Sequence, residues 1–383
     1  MGKGKRIKFP YEYDPEARRK AKVYSKIKLY HWIADKLIML VVLGLLLASG
    51  VSASLRDLAA ISGVWHIDIA LFIFAIITII LLARLPLSFY SDFTYEHKYG
   101  LSNQGVKGWL IDFLKAAFLN YLFAIPVMAG LYFLMASTAS WWLYAGLLSF
   151  LVYLAMDALF PVLILPFFYK TEPFRGQEQK QRLLDMVKRA GARNIKNIIV
   201  AKESEKSKKA NAMFAGFWKT KRIVLFDTLL DSFTPDEIET VVAHELGHYV
   251  NKDVWRFLLI EIALAFATFY LADMALKAAV GMFGIKSFLD VAGLPLLLLC
   301  FELVGMVAMP LVNSYSRFRE AKADYFALEV SRKPIAQIST EKRLADMALA
   351  EDDPAAIDEF LFHSHPAPKK RIVMAREWMK KRQ

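Results

Sequence analysis

The chain has 383 residues, of which 56% are hydrophobic and 14% aromatic. This composition is too apolar for an ordinary soluble domain, and it excludes disordered, collagen-like and coiled-coil proteins. Lys and Arg number 49 against 37 Asp and Glu, which gives a formal net charge of +12. In a membrane protein such an excess indicates topology, so we expect a lipid bilayer and no nucleic acid as partners. A single cysteine, Cys300, excludes an internal disulfide.

Spanning helices are predicted from the apolar stretches. A hydrocarbon core about 30 Å thick needs roughly 20 consecutive apolar residues per helix. Six stretches meet this requirement: Ile33–Ala53, Val64–Leu85, Leu110–Ala136, Trp141–Phe168, Val254–Leu276 and Val291–Leu311. The predicted fold class is a mainly α multi-pass membrane protein.

The distribution of Lys and Arg predicts which side each loop occupies. Ten of the first 28 residues are Lys or Arg. If this N-terminus is cytoplasmic, alternation places 84–109, 169–253 and 312–383 on the same side. The opposite side then keeps only Arg56, Lys286 and Lys277. This asymmetry predicts a cytoplasmic N-terminus and two long cytoplasmic segments that form one α+β domain.

Five parts are predicted along the chain. They are a basic N-terminus at 1–30, four spans within 31–168, a first polar segment at 169–253, two spans within 254–311 and a second polar segment at 312–383. Predicted strands are Asn197–Glu203, Ala212–Phe217 and Arg222–Phe226, the last two joined by a turn at Trp218–Lys221. Predicted helices cover Leu311–Ser331, Glu341–Ala350 and the chain from Ala367 onward.

Ionisable and amide residues interrupt the apolar spans. Such residues are costly in lipid and usually face the bundle interior or a water-filled cavity, so their number predicts a hydrated chamber. Those near span ends are equally compatible with the headgroup level. They are Asp68, Asp112, Lys115, Asn120, Asp157, Glu261, Asp273 and Glu302.

A helix start is well marked in the first polar segment. Thr234 is a suitable N-cap, Pro235 suits the first helical position, and Glu237 completes a capping box. These signals predict a helix over Pro235–Val250.

That helix carries an H-E-x-x-H motif at His244, Glu245 and His248. At i and i+4, both imidazoles can reach one Zn²⁺ at about 2.0–2.1 Å. Glu245 then lies beside a metal-bound water and is predicted to be the general base.

A catalytic zinc takes three protein ligands and leaves one position for water, whose pKa falls to about 7. Candidates for the third ligand are His363, His365 and the acidic residues of the predicted helix after residue 312. There, Glu320 and Asp324 lie at i and i+4, which suits one zinc ligand and one carboxylate that orients a ligating histidine. Spacing alone leaves the choice open.

Five blocks resemble one family, the M48 integral-membrane zinc metalloproteases, specifically the Ste24-type CAAX prenyl protease branch. The blocks occur in order and at similar spacing, and the resemblance covers most of the chain. They are Tyr95–Gln104, Asn211–Leu230, His244–His248, Ser316–Asp324, and His365-Pro followed by Arg371-Ile.

The resemblance implies roles that spacing leaves open. Glu320 is expected to be the third ligand of one Zn²⁺ per chain, and Asp324 the partner of a zinc-bound histidine. His365 and Arg371 correspond to donors for the tetrahedral oxyanion or a peptide carboxylate. His363 is expected to be structural or at the surface, like His31, His66 and His97.

The resemblance also implies a substrate-binding strand. In similar proteases this strand is the free edge beside the zinc, and substrate adds to it through main-chain hydrogen bonds. The corresponding residues are Asn211, Ala212, Met213, Phe214 and Ala215.

Two departures from the family pattern stand out. Eukaryotic members resemble a seven-helix barrel around a hydrated chamber, whereas six spans are clear here, so we expect a bundle or barrel of six to seven helices. Met213 and Ala215 also replace aromatic residues that are common in this strand.

The predicted function is a zinc-dependent membrane endopeptidase similar to CAAX prenyl proteases, with a cytoplasm-facing gluzincin-like site. Its expected substrates are peptides or membrane proteins, with or without a prenyl group. So compact a chain points to a bacterial inner membrane, where a general quality-control metalloprotease is the alternative.

A transporter with a structural zinc and a pseudoprotease scaffold are rival classes. A structural zinc would have four protein ligands, and the complete motif argues against a pseudoprotease.

Overall fold

The computed structural model describes residues 9–192, 195, 197–216 and 221–382. In this part of the chain, six helical stretches are long and apolar enough to cross a membrane, which confirms the predicted spans. In chain order the helices are α1 (Pro15–Ala48), α2 (Val51–Ala59), α3 (Trp65–Ser88), α4 (Tyr95–Lys98), α5 (Val106–Ser137), α6 (Trp141–Leu159), α7 (Leu165–Phe168), α8 (Gln177–Arg189), α9 (Asp227–Ser232), α10 (Pro235–Val250), α11 (Asp253–Ala278), α12 (Leu294–Ser331), α13 (Pro334–Met347), α14 (Ala356–Phe362) and α15 (Pro368–Lys380).

Two helices cross boundaries predicted from hydropathy. Helix α1 begins at Pro15, inside the predicted basic N-terminus, and Asp14 caps it by accepting a hydrogen bond from the Glu16 backbone. Helix α12 continues without a break from the membrane through the predicted boundary at residue 311. Hydropathy marks only the part of a helix that lies in lipid, so it does not detect a polar extension of the same helix.

Two spans contain a π-helical segment near a proline. A π-helical segment at Phe89–Thr94 follows Pro86 and joins α3 to α4, and another at Phe160–Ile164 contains Pro161 and joins α6 to α7. Proline lacks an N–H, which leaves a carbonyl of the preceding turn without its helical partner, and a wider turn is one way to continue the helix.

The spans pack around an apolar core that includes Leu43, Phe72, Ile76 and Trp141. Helices α6 and α11 approach closely at Gly146, where an added Cβ would lie 2.4 Å from the Phe266 ring. Small residues commonly allow such close packing between helices in lipid.

Several polar groups of the spans pair with one another. Lys36 contacts Glu302 at 2.5 Å, and Arg84 donates two hydrogen bonds of 2.7 Å to Asp35. The Trp141 indole donates to Asp273 at 2.7 Å. Pairing lowers the cost of charge at these positions, so these groups do not themselves require the predicted chamber.

A four-stranded sheet forms part of the polar domain. Its strands are β1 (Thr171–Pro173), β2 (Ile198–Ala201), β3 (Ala212–Ala215) and β4 (Arg222–Phe226), in the order β1-β2-β4-β3. Strands β2 and β4 are parallel, and β3 pairs antiparallel with β4. Strand β3 is therefore an edge, as expected, while Phe217 and the predicted turn at 218–220 lie outside the described residues.

Helix α10 packs on this sheet, and the N-terminal segment contacts helix α13 of the same domain. Leu183, Ile223, Val242 and Leu246 form part of the core between helices and sheet. Asp346 of α13 accepts hydrogen bonds from Tyr11 Oη, the Asp14 amide and Arg18 Nε, at 2.9, 2.8 and 2.5 Å. The start of α1 therefore lies on the same side as the polar domain.

The loop after α4 joins the membrane helices to the polar domain. Its Asn103 amide donates to Lys206 O, and the Lys208 amide donates to Leu101 O, both at 2.9 Å. Glu96 contacts Lys209 at 2.8 Å. The loop thus supports the segment that leads into β3.

Candidate active site

Helix α10 forms as its sequence predicts. Glu237 donates its amide to Thr234 Oγ1 at 3.3 Å and accepts from the Thr234 amide at 2.8 Å, so the capping box is present. The helix places His244 and His248 on one face, with their Nε2 atoms 3.1 Å apart.

Helix α12 brings a carboxylate to the two imidazoles. Glu320 Oε2 lies 3.2 Å from His244 Nε2, and Glu320 Oε1 lies 3.3 Å from His248 Nε2. The helices meet closely because Gly247 has no side chain: a Cβ there would lie 3.0 Å from Ala323 Cα. Tertiary packing therefore selects the third group that spacing had left open.

These three side chains fit a zinc ion. Tetrahedral ligands at about 2.0–2.1 Å from a metal lie about 3.3–3.4 Å from one another. The separations of His244, His248 and Glu320 are close to this value. Glu320 Oε2 is moreover buried and makes no hydrogen bond, as expected for an atom reserved for a metal. Among the described residues, His244, His248 and Glu320 are the group whose ligand atoms lie close enough together to bind one metal ion.

His244 is oriented by a buried charge network. Its Nδ1 lies 2.8 Å from Asp324 Oδ1, which fixes the tautomer that presents Nε2 to a metal. Asp324 is fully buried and accepts from Arg371 Nε at 2.7 Å and Nη2 at 2.5 Å. Arg371 Nη1 contacts Glu341 of α13 at 2.7 Å.

His248 has its own orienting carboxylate, which was missed in the sequence. Its Nδ1 lies 2.8 Å from Asp253 Oδ2, and Asp253 Oδ1 accepts from Arg319 Nε at 2.6 Å. Asp253 begins α11, five residues after His248. An acidic residue shortly after the motif was the available signal, but only the turn at Asn251 and Lys252, where Lys252 has a φ of 56°, brings it to the ring.

The electrostatics of the site favour a cation. Burial opposes the charged imidazolium of His244, but Asp324 and Glu320 outweigh it and raise the pKa to about 10. Burial also opposes ionisation of Glu320, yet the two imidazoles lower its pKa well below the ordinary value. Carboxylates that stabilise a positive charge on His244 also suit a divalent cation at the same place.

Glu245 lies beside the metal-binding group, and its pKa is shifted in the direction opposite to that of Glu320. Burial raises its pKa above the ordinary value, with the histidines opposing this effect. A carboxylate with a raised pKa is better matched to proton transfer near neutral pH.

Two cavities meet at Glu245. One of about 210 Å³ is lined by Asn211, Ala212, His365 and Arg371 among others. The other, of about 610 Å³, extends from His248 past Phe214 and Ala215 to Asp157 and Trp255 of the membrane helices. Ala212 of β3 lines the smaller cavity, and Phe214 and Ala215 line the larger one. Strand β3 therefore runs from one cavity to the other.

Of the other predicted residues, His365 and Arg371 lie near the metal-binding group. His365 Nε2 is 3.5 Å from Glu320 Oε1, and its side chain is 61% exposed. His363 stays outside the group, and its carbonyl accepts from Arg317 at 2.5 Å.

Sequence and structure comparisons agree with this architecture. Residues 173–379 match the profile described as Peptidase family M48, and residues 7–170 match "CAAX prenyl protease N-terminal, five membrane helices". In the described part of that region, we find four membrane-length helices and the short α2.

Individual relatives extend the match. "Uncharacterized metalloprotease YhfN" of Bacillus subtilis is 29% identical over 361 residues, 93% of this chain and 84% of the relative. A "CAAX prenyl protease 1 homolog" of Arabidopsis thaliana is 33% identical over 188 residues, 48% of this chain and 44% of the relative, so it is matched over less than half its length. The crystal structure of S. mikatae Ste24p has the same fold, with a TM-score of 0.84 at 24% identity, over 94% of this chain and 89% of that one.

Proposed function

We propose that this protein, which belongs to peptidase family M48, cleaves peptides on the carboxyl side of a prenylated residue. Membership of this family makes it an integral-membrane zinc metalloendopeptidase. The observation that carries the proposal is the larger cavity, which runs from Glu245 and His248 to Asp157 and Trp255. Val250 and Val254 give it apolar walls beside the membrane helices. A lipid-bearing residue would be accommodated there while the adjoining peptide bond lies at Glu245.

In this proposal the chain's own residues move the protons and hold the substrate. His244, His248 and Glu320 would hold Zn²⁺, which would supply Lewis-acid activation of water at neutral pH. Glu245 takes the proton of the attacking water and delivers it to the leaving amine.

His365 and Arg371 have different parts in the proposed reaction. The proposed role of His365 is to donate to the developing oxyanion, and its exposed side chain beside Glu320 supports this role. Arg371 uses three of its five N–H donors on Asp324 and Glu341. Its first role is therefore to position Asp324 and, through it, His244.

Strand β3 is the proposed substrate-binding edge. The Phe226 amide donates to Asn211 O, so Asn211 and, by alternation, Met213 and Ala215 face β4. The backbone groups of Ala212 and Phe214 then face outward. The Ala212 amide is already bound by Asn211 Oδ1 at 2.8 Å, which leaves the Phe214 amide as the main donor for an added strand.

Proline substitution tests this assignment. Phe214→Pro removes an outward N–H, and we expect a loss of roughly tenfold or more in kcat/KM with zinc content retained. Phe214→Leu keeps the N–H and is the matched control, expected to retain most activity. Equal activity of the two variants would show that substrate does not add to β3.

The proposed location is the cytoplasmic side of a bacterial inner membrane. The contacts of Tyr11 and Arg18 with Asp346 support a common side for the N-terminus and the active site. In a Cys300→Ala background, Glu205→Cys should be labelled only from the cytoplasm and Ser287→Cys only from the other face. Labelling of both from one side would contradict this topology.

Cleavage of a farnesylated CAAX peptide beside its unprenylated control, read by mass spectrometry, tests the substrate. We expect the prenylated peptide to be cleaved after the modified cysteine, and Glu245→Gln to cleave neither peptide. Equal cleavage of both would favour the general quality-control protease.

A further inference from the structure

The smaller cavity contains a polar group without a partner. Gln337 of α13 is 3% exposed, and its Nε2 donates to the Asp324 carbonyl at 3.3 Å. Its Oε1 is buried and makes no hydrogen bond. Buried acceptors of this kind are uncommon in folded proteins, which points to a donor from outside the chain.

Gln337 lies on the face of α13 that lines the smaller cavity. Gln337, Thr340, Glu341 and Leu344 follow helical spacing, and all four line the 210 Å³ cavity. The other two polar side chains have partners: Thr340 Oγ1 is 3.1 Å from Thr240 Oγ1, and Glu341 contacts Arg371. Of these three polar side chains, Gln337 is thus the one with an unpaired acceptor.

The cavity lies where one side of a bound peptide would pass. Glu245, Asn211 and Ala212 contribute to its wall, so it adjoins both the proposed general base and the start of β3. The larger cavity leads to the membrane helices. A substrate whose amino-terminal part is attached to the membrane would therefore place its released carboxyl-side residues in the smaller cavity.

We propose that Gln337 is a specificity-determining residue, whose side-chain carbonyl accepts a hydrogen bond from a substrate side chain on the carboxyl side of the scissile bond. The favoured side chains carry a hydroxyl or a carboxamide, such as Thr or Gln. This inference rests on the proposed peptidase function. An apolar side chain of the same size would fill the cavity but leave Oε1 without a donor.

The test compares peptides that differ only in that donor. Thr and Val are nearly equal in shape, as are Gln and Met, and each pair is placed at the first and then the second position after the scissile bond. We expect wild-type kcat/KM to favour the donor-bearing peptide by about fivefold to tenfold at one of these positions. Product peptides should show the same ratio in binding to Glu245→Gln, which separates recognition from turnover.

Two variants assign that preference to Gln337. Gln337→Met removes the acceptor and should bring the ratio close to one, whereas Gln337→Glu keeps an acceptor and should keep the preference. Gln181→Met, at an exposed position of α8, is the matched control and should leave the ratio unchanged.

Three results would count against the inference. A wild-type ratio near one at both positions would overturn it, since the donor then has no effect. A ratio that survives in Gln337→Met would also overturn it, by assigning the preference to another residue. Failure of wild type to cleave any peptide would overturn the proposed function and this inference together.

Discussion

His244 and His248 both direct Nε2 toward Glu320, but the carboxylates that hold their other ring nitrogens belong to different regions of the molecule. His244 is held by Asp324, which Arg371 of the C-terminal helix α15 binds in turn. His248 is held by Asp253 at the first residue of the spanning helix α11. One support therefore lies within the polar domain and the other at the membrane boundary.

The two supports also differ in their further connections. Asp324 leads through Arg371 and Glu341 to α13, the helix that the N-terminal segment contacts at Asp346. Asp253 leads to Arg319, which is itself on α12, one residue before Glu320. The metal site therefore lies between the polar domain and the spanning helices, and its geometry depends on both.

The largest effect is expected from removing Glu320, the carboxylate that both histidines face. Glu320→Ala should lower zinc affinity by more than about 100-fold and reduce cleavage to background, because loss of a ligand exceeds the effect of losing its partner. Metal analysis of the purified variant measures this. Stoichiometric zinc in Glu320→Ala would return the third-ligand role to His365.

Removing the base while leaving both supports in place should have the next largest effect. Glu245→Gln is expected to retain zinc and to lose about 10²–10⁴-fold in kcat, the usual contribution of general-base catalysis. Zinc content and kcat are measured on the same preparation. Substantial residual turnover would contradict the role of Glu245.

Substituting Asp324 and Asp253 one at a time compares the two supports directly. Asp324→Asn and Asp253→Asn should each cost about 10–100-fold in zinc affinity or activity. We expect Asp324→Asn to cost more, because it also leaves the buried Arg371 with a weaker partner. Competition with a zinc chelator ranks the two variants. The opposite order would mean that the membrane-side support dominates.

The smallest effect is expected at the outer end of the Asp324 support. Asp346→Ala leaves Tyr11, the Asp14 amide and Arg18 without their acceptor, so we expect a loss of about 1–3 kcal/mol in stability with zinc retained. Thermal unfolding in detergent measures it. Asp231→Ala, at an exposed position, is the control and should stay within about 0.5 kcal/mol of wild type.

The accuracy of the sequence predictions differs between the membrane helices and the polar domain. The six spans are evident because the bilayer requires about 20 apolar residues per helix, whatever the helix packs against. In the polar domain, β1 and the helices α8, α9 and α14 went unpredicted, and α13 covers Pro334–Met347 where a helix was predicted at Glu341–Ala350. Short elements there are selected by their neighbours, which sequence periodicity does not reveal.

The amino-acid sequence is sufficient to predict helix α10, the shared face of His244 and His248, and the membrane class. Each of these follows from interactions between residues close in the chain or from the requirement of lipid. Two contacts instead depend on tertiary packing: Glu320 faces both histidines because Gly247 allows close approach to Ala323, and Asp253 holds His248. They depend on how α10 and α12 cross and on the turn between α10 and α11, and helix crossing is set by packing over the whole molecule.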